Sequence, residues 1–241
     1  MQPPIPIDHL LLIDIETVPV YAHFGQLPPA LQELWLEKFT KIAPDLQDAE
    51  AGFAERAGIY AEFGKIVCIS IGYFFHESGR QKIKLKSYYD HDEKKLLEDF
   101  LAAVAQFSGR SGQLYFCGHN VREFDIPYLC RRSVIHQLQV PPVLQLNGKK
   151  PWEVPMIDTL HWWRFGDYKH YTSLKLLAAV LGIPTPKDDI DGGMVGEVYW
   201  KEQDLPRIAH YCQKDVATVA QLVLRFNRMP LLEEEDIIIV S

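Results

Sequence analysis

The apolar run Leu10-Leu11-Leu12-Ile13 has strand character and ends in two carboxylates, Asp14 and Glu16, separated by one isoleucine. Side chains on a strand alternate between faces, so Asp14 and Glu16 project to one side while Ile13 and Ile15 project to the other. Val18–Pro29, with Pro19, Gly25, Pro28 and Pro29, predicts a loop. Pro29–Phe39 carries Leu31, Leu34, Trp35 and Phe39 at helical spacing behind a proline and predicts a helix. A second helix is expected over DAEAGFAERAG, which makes residues 20–63 a helical insertion between the first two strands. Trp35 either packs that insertion onto the core or offers aromatic surface to a ligand, and core packing is the expectation.

Gly64–Phe75 is rich in β-branched and aromatic residues and predicts a central strand. A turn at His76–Gly79 and alternating Lys82–Tyr89 complete a hairpin. Asp92–Phe107 predicts an amphipathic helix with Leu96, Leu97, Phe100, Leu101 and Val104 on one face. A buried strand at Gln113–Cys117, a helix at Glu123–Leu138, a loop at Pro141–Trp152 and a short strand at Glu153–Asp158 follow. Ser173–Leu181 is a capped helix closed by Gly182, Ile183–Gly193 a loop, and Leu205–Arg225 a last long helix with Asp204 as its cap. This order predicts one α/β domain over residues 1–241, with a mixed central sheet flanked by helices. The tail at 230–241, ending EEEDIIIVS, reads either as a terminal strand or as a docking peptide.

With 241 residues, 47% of them hydrophobic, the chain is long enough for one sizeable core. The net charge of −7 gives no global attraction to nucleic acid. It does not exclude nucleic acid either, because a metal site built of carboxylates is itself acidic and phosphates need only a local basic patch. Candidates for that patch are Arg131, Arg132, Lys149, Lys150, Arg164, Lys169 and Lys187. The four cysteines show no CxxC spacing and read as reduced, buried thiols of a cytoplasmic protein. MQPPIPIDH lacks the features of a signal peptide, and no apolar run is long enough for a membrane span.

Two like charges at the end of a hydrophobic strand repel each other and resist desolvation. The usual compensator is a divalent ion, and oxygen-only ligands indicate magnesium or manganese. The alternative is two solvated acids at the surface. Asp125, in GHNVREFDIPYLCR, follows a buried strand and a polar turn, at a place from which it reaches the first strand if the two strands are neighbours. Otherwise it is an ordinary first-turn acid on a helix dipole. Asn120 would add an uncharged amide at the strand end. Tyr211 and Asp215 lie one turn apart on a helix face shared with Ile208 and Cys212. An acid on that core-directed face needs a cation or metal, unless it simply sits at the helix surface.

In order, D-I-E-T, N-x4-D followed by I-P-Y-L, and Y-x3-D resemble the three motifs of the DEDD superfamily of 3′–5′ exonucleases, in its tyrosine-containing DEDDy branch. The likeness is to the proofreading exonuclease domain of family B DNA polymerases, whose G-x-N-x3-F-D-[IL]-P-Y-L signature is matched by Gly118, Asn120, Phe124, Asp125, Ile126, Pro127, Tyr128 and Leu129. Ser173-Leu-Lys, through Leu181-Gly182 and Lys187 to Gly193 and Val195, also resembles the stretch before the third motif. The resemblance spans residues 9–227 and departs from the pattern in the insertion and in Glu123. No polymerase domain follows, so a stand-alone exonuclease is expected.

The resemblance implies a ribonuclease H-like fold with the motif strand at its centre. It implies that Asp14, Glu16, Asp125 and Asp215 hold two divalent ions, Mg2+ or Mn2+, roughly 3.5–4 Å apart. Asp14 would bridge both ions, Glu16 and Asp215 would complete the site that activates water, and Asp125 would support the second ion. Tyr211 would orient the water, since a phenol with a pKa near ~10 is a poor general base at neutral pH. Thr17, Asn120, Phe124 and Lys187 are the expected substrate contacts. Trp162, Trp163 and Tyr168, with Phe124, either stack on unpaired bases or belong to the core. The expected partner is the 3′ end of single-stranded or frayed DNA, cut to nucleoside 5′-monophosphates, with no membrane involved. RNA 3′-end trimming and an inactive nucleic-acid binding module are the alternatives.

Overall fold

The computed structural model describes residues 7–45, 48–111, 114–150, 153–184 and 190–240. The opening apolar run forms β1 (Leu10–Pro19), and the sheet is built outward from it. β2 (Gly64–Glu77) pairs antiparallel with β1, and β3 (Arg80–Tyr89) antiparallel with β2. Ser78 and Gly79 join β2 to β3 at φ 53° and 77°, the left-handed pair that fits a two-residue hairpin to the strand twist. β4 (Tyr115–Gly118) lies parallel to β1, β5 (Met156–Asp158) parallel to β4, and β6 (Ile237–Val240) parallel to β3. Among the described residues these make one six-stranded sheet in the order β5-β4-β1-β2-β3-β6. A mixed sheet with β2 antiparallel to both neighbours and β4 and β5 parallel to β1 is the ribonuclease H-like arrangement. The tail is therefore a strand, at least over β6.

The helices are α1 (Pro29–Ile42), α2 (Ala49–Arg56), α3 (Glu93–Ser111), α4 (Asp125–Ile135), α5 (Thr159–Arg164), α6 (Leu174–Val180), α7 (Val195–Glu197) and α8 (Leu205–Phe226). Alternation along β1 divides the core in two. Leu11, Ile13 and Ile15 pack with Ile69 and Ile71 against Phe100 of α3 and Leu129 of α4. Leu10 and Leu12 face α8, where Val216, Val219 and Val223 form a buried stripe. Each such side chain contributes about 1.5–3 kcal/mol by leaving water. Helix α8 lies so close to β2 that a Cβ on Gly72 would come within 3.0 Å of Val216 Cγ1. The same alternation turns Asp14 and Glu16 toward α8.

In the insertion, Trp35 is fully buried, with ring centroids 5.2–5.8 Å from Phe63, Phe53 and Phe39. Its Nε1–H donates to the Ala49 carbonyl at 2.8 Å. Trp35 is core, as expected.

Two expectations need correction, and two helices go beyond the sequence pattern. α5 and α7 were not anticipated, because the mixed WWRFGDY stretch has no clean period and α7 is a single turn. The helix expected from Glu123 starts only at Asp125, because the Glu123 and Phe124 N–H groups are taken up by the Asn120 carbonyl in a turn. Arg132 is not available to a nucleic-acid strand. It is buried on α4 and paired with Glu93 at the start of α3, and Glu93 Oε1 also accepts the Ile66 N–H at 2.7 Å. That buried pair fixes the helix that begins with Asp125. The four cysteines are free thiols. Among the described residues no helix is long and apolar enough to cross a membrane.

Candidate active site

Three local features bring the acids together. In the β1–β2 ladder Asp14 stands opposite Ser70 and Glu16 opposite Cys68, and the register slips between Glu16 and Thr17. Such a bulge re-aims side chains at that point. On its other side β1 is paired with β4 only as far as Leu12, so its continuation has an open edge. β4 ends at Gly118, where any Cβ would lie 2.7 Å from the Ile13 carbonyl oxygen, so glycine alone permits the close approach. The chain then turns through Asn120, at φ 67°, and enters α4. There Asp125 Oδ1 accepts the Ile15 N–H at 3.2 Å, filling the open edge of β1 with a carboxylate.

The turn itself is held by Asp158, which the sequence reading passed over. This carboxylate is buried at the end of β5 and accepts the N–H groups of Asn120 (3.0 Å), Arg122 (3.1 Å) and Leu160 (3.0 Å). An Asp at a strand end followed by a helix start is the N-cap pattern, and that was the available signal.

From the opposite face, α8 supplies Tyr211, Cys212 and Asp215. Cys212 Sγ lies 3.3 Å from Asp14 Oδ2 and 3.4 Å from the Asp14 carbonyl oxygen, placed to donate to either. The Tyr211 hydroxyl donates to Asp215. Ligand atoms of Asp14, Glu16 and Cys212 all lie within 4.8 Å of one another.

Asp14, Glu16, Asp125, Tyr211 and Asp215 line one cleft of about 480 Å³, together with Thr17, Asn120 and Phe124. Lys187 lies outside the described residues. The Thr17 hydroxyl is engaged by Tyr128, whose own O–H donates to the Gly58 carbonyl at 2.8 Å. Asn120 Oδ1 is buried without a hydrogen-bond partner. The insertion contributes Glu55, Gly58 and Ile59 to the lining of the cleft. Among the aromatics, Trp162 stacks on Phe226 and Trp163 packs near Leu177, both half-buried against the core, while Tyr168 is exposed. A second cleft of about 480 Å³ lies on the outer side of α4, among Ile126, Val134 and Leu144 and away from the acids.

The electrostatics of the acid cluster follow from burial. Asp14 and Glu16 are pushed well above the usual carboxylate range, first by burial and then by each other's neighbourhood, Asp215 for Asp14 and Asp14 for Glu16. Burial pushes Asp125 up to about 7, although its backbone hydrogen bonds, including that from Ile15, oppose the rise. The Tyr211 hydroxyl is raised by burial and then by Asp215 and Glu16. Cys212 is raised chiefly by burial, so it is a protonated donor and no nucleophile at neutral pH. Clustered hard oxygen donors that raise one another's pKa, with the unpartnered Asn120 oxygen beside them, fit a divalent cation of the magnesium or manganese type.

A ribonuclease H-like sheet with an acidic cleft beside its central strand defines the class of this protein. Within it, residues 56–236 match the family described as "Predicted 3'-5' exonuclease related to the exonuclease domain of PolB", and the chain belongs to that family. The match begins at the end of α2, so β1 with Asp14 and Glu16 precedes it. The structure is also similar to the family B DNA polymerase from the hyperthermophilic archaeon Pyrobaculum calidifontis, at 15% identity and a TM-score of 0.49. That alignment covers 88% of this chain and 23% of the polymerase, so the chain spans under a quarter of that protein's length. No curated protein sequence matches the chain.

Proposed function

We propose that the chain is a DEDDy-type, metal-dependent 3′–5′ exonuclease that releases nucleoside 5′-monophosphates from single-stranded or frayed DNA, with residues 1–241 acting as one cytoplasmic domain. The observation that carries this reading is the convergence of Asp14, Glu16, Asp125 and Asp215, from β1, α4 and α8, in one cleft with Tyr211. Two Mg2+ or Mn2+ ions held by these carboxylates would stabilise the attacking and leaving oxygens of the phosphodiester. The remaining work belongs to the chain's own groups. Asp125 is anchored by the Ile15 N–H and keeps its place on the strand edge. The Cys212 thiol steers Oδ2 of Asp14. Tyr211 stays protonated at neutral pH, so it orients the attacking water through a hydrogen bond and does not act as the base. Asn120 Oδ1 offers an acceptor to the terminal nucleotide, Phe124 a surface for its base, and Thr17 its backbone.

Asp14→Ala and Asp215→Ala test this assignment directly. Both variants should lose single-turnover cleavage, while their metal-free melting temperatures equal or exceed that of the wild type because a repelling charge has gone. Near-normal cleavage by both would sink the two-metal assignment.

A further inference from the structure

We propose that the segment from Phe165 to Tyr171 is a stacking surface for single-stranded nucleic acid, which holds the nucleotides leading to the one in the acidic cleft. The proposal rests on the exonuclease reading for the position of the strand's 3′ end. The binding surface itself stands on separate observations.

Trp162 and Trp163 turn inward, yet the next three aromatics all turn out. Phe165 is 75% exposed, Tyr168 71% and Tyr171 63%. Phe165 closes α5 at φ 47°, a left-handed conformation unfavourable for a residue with a Cβ, and Gly166 follows at φ 90°. Backbone strain at a residue whose apolar ring is left in water is hard to explain by packing and marks a working surface.

This surface is continuous with the cleft. Tyr171 lines the cleft, and its ring lies 6.3 Å from that of His119. His119 Nε2–H donates to the Thr172 carbonyl at 2.8 Å, which pins Tyr171 at the cleft mouth. The Tyr168 ring lies 6.1 Å from His161, whose Nε2 is 3.2 Å from Glu123, the neighbour of cleft-lining Phe124. Tyr171 thus stands at the cleft and Tyr168 beside it, with Phe165 exposed three residues before Tyr168.

Charge favours the same occupant. Lys169 and, just beyond it, Lys175 are exposed here, with one acid, Asp167, between Phe165 and Tyr168, whereas the cleft itself is lined by Glu55 and the clustered carboxylates. A phosphate backbone is steered to the basic side. Exposed aromatic rings with lysines beside them suit a single strand, whose bases present free faces, and not a duplex, whose bases are already stacked.

The test is fluorescence anisotropy of the full chain with a short 5′-labelled oligothymidylate and the matched oligouridylate, in EDTA so that nothing is cut. Phe165→Ala/Tyr168→Ala should weaken both by about 25-fold or more, since each of the two stacked bases contributes a factor of roughly 5–150. Tyr168→Phe should retain wild-type affinity, because the face of the ring and not its hydroxyl does the binding. An oligomer with abasic sites just before its 3′-terminal nucleotide should bind the wild type weakly and lose nothing further in the double variant. An unchanged affinity for the double variant, with an unchanged melting temperature, overturns the surface. So does an equal loss on the abasic strand. If the wild type binds through these residues but releases no nucleotide when metal is added, the exonuclease reading falls and the surface stands. If the wild type trims 3′ ends while the double variant binds normally, the surface alone falls.

Discussion

Replacing Asp125 by asparagine separates the charge at the cleft from the scaffold that carries it. Asparagine keeps an oxygen to accept the Ile15 N–H, so the tie between α4 and β1 survives while the ionisable group goes. Burial raises the Asp125 carboxyl from the ordinary 3.8 to about 7. The folded protein therefore holds this proton after the unfolded chain has lost it. Its contribution is fully present below pH ~4 and is lost as pH rises to about 7. That difference corresponds to about 4 kcal/mol by pH ~8. Asp158 and Asp215 share in the repulsion, so we take about 2–4 kcal/mol as the gain on removing the charge from the metal-free protein. For a chain of this size the gain is a rise of roughly 5–15 °C in Tm. The assay is thermal melting of both proteins in EDTA from pH ~5 to ~8. The gap should widen with pH, and Mg2+ or Mn2+ should narrow it by stabilising the wild type, because a ligand that binds only the folded state favours it. A variant that melts at or below the wild type at pH ~8 in EDTA, or a gap independent of pH, would refute the reasoning.

Tyr211→Phe should lower kcat by about 10–1000-fold with KM nearly unchanged, as expected for one hydrogen bond made in the transition state. Full rate with a Tm several degrees lower would instead make the tyrosine a core hydrogen-bonding residue. Asp158→Ala strands four backbone donors, His161 included, at about 1–3 kcal/mol each, so Tm should fall by roughly 8 °C or more, and Asp158→Asn should recover part of the loss. A fall of under ~2 °C for the alanine variant would show that the Asn120 turn is held by other contacts.

The sequence patterns that proved legible were local and periodic. Alternation in β1 gave the face of Asp14 and Glu16, because Leu10 and Leu12 continue that face onto α8. The apolar stripe of α8 likewise placed Tyr211 and Asp215 at one edge of a buried helix. What stayed hidden depends on contacts between distant segments. That Asp125 reaches β1 was legible given neighbouring strands, but not how: β4 stops at Gly118 and leaves the Ile15 N–H without a strand partner. Arg132 reads as a free cation until Glu93, a distant residue in sequence, is found beside it in the core. The aromatics around WWRFGDY could not be sorted by period, since the turn at Phe165 decides which rings face in and which face out. Cys212 gave no local sign that its thiol would meet Asp14.

The central claim is polarity of digestion, and matched 3′-labelled and 5′-labelled single strands of DNA test it most directly, with RNA counterparts and with magnesium, manganese or EDTA. The account predicts that the 3′ label leaves at once as a mononucleotide while the 5′ label shortens stepwise, with metal only, and that DNA is cut at least as well as RNA. Release of the 5′ label as the first product, cutting of covalently closed circles, or digestion that persists in EDTA would contradict it.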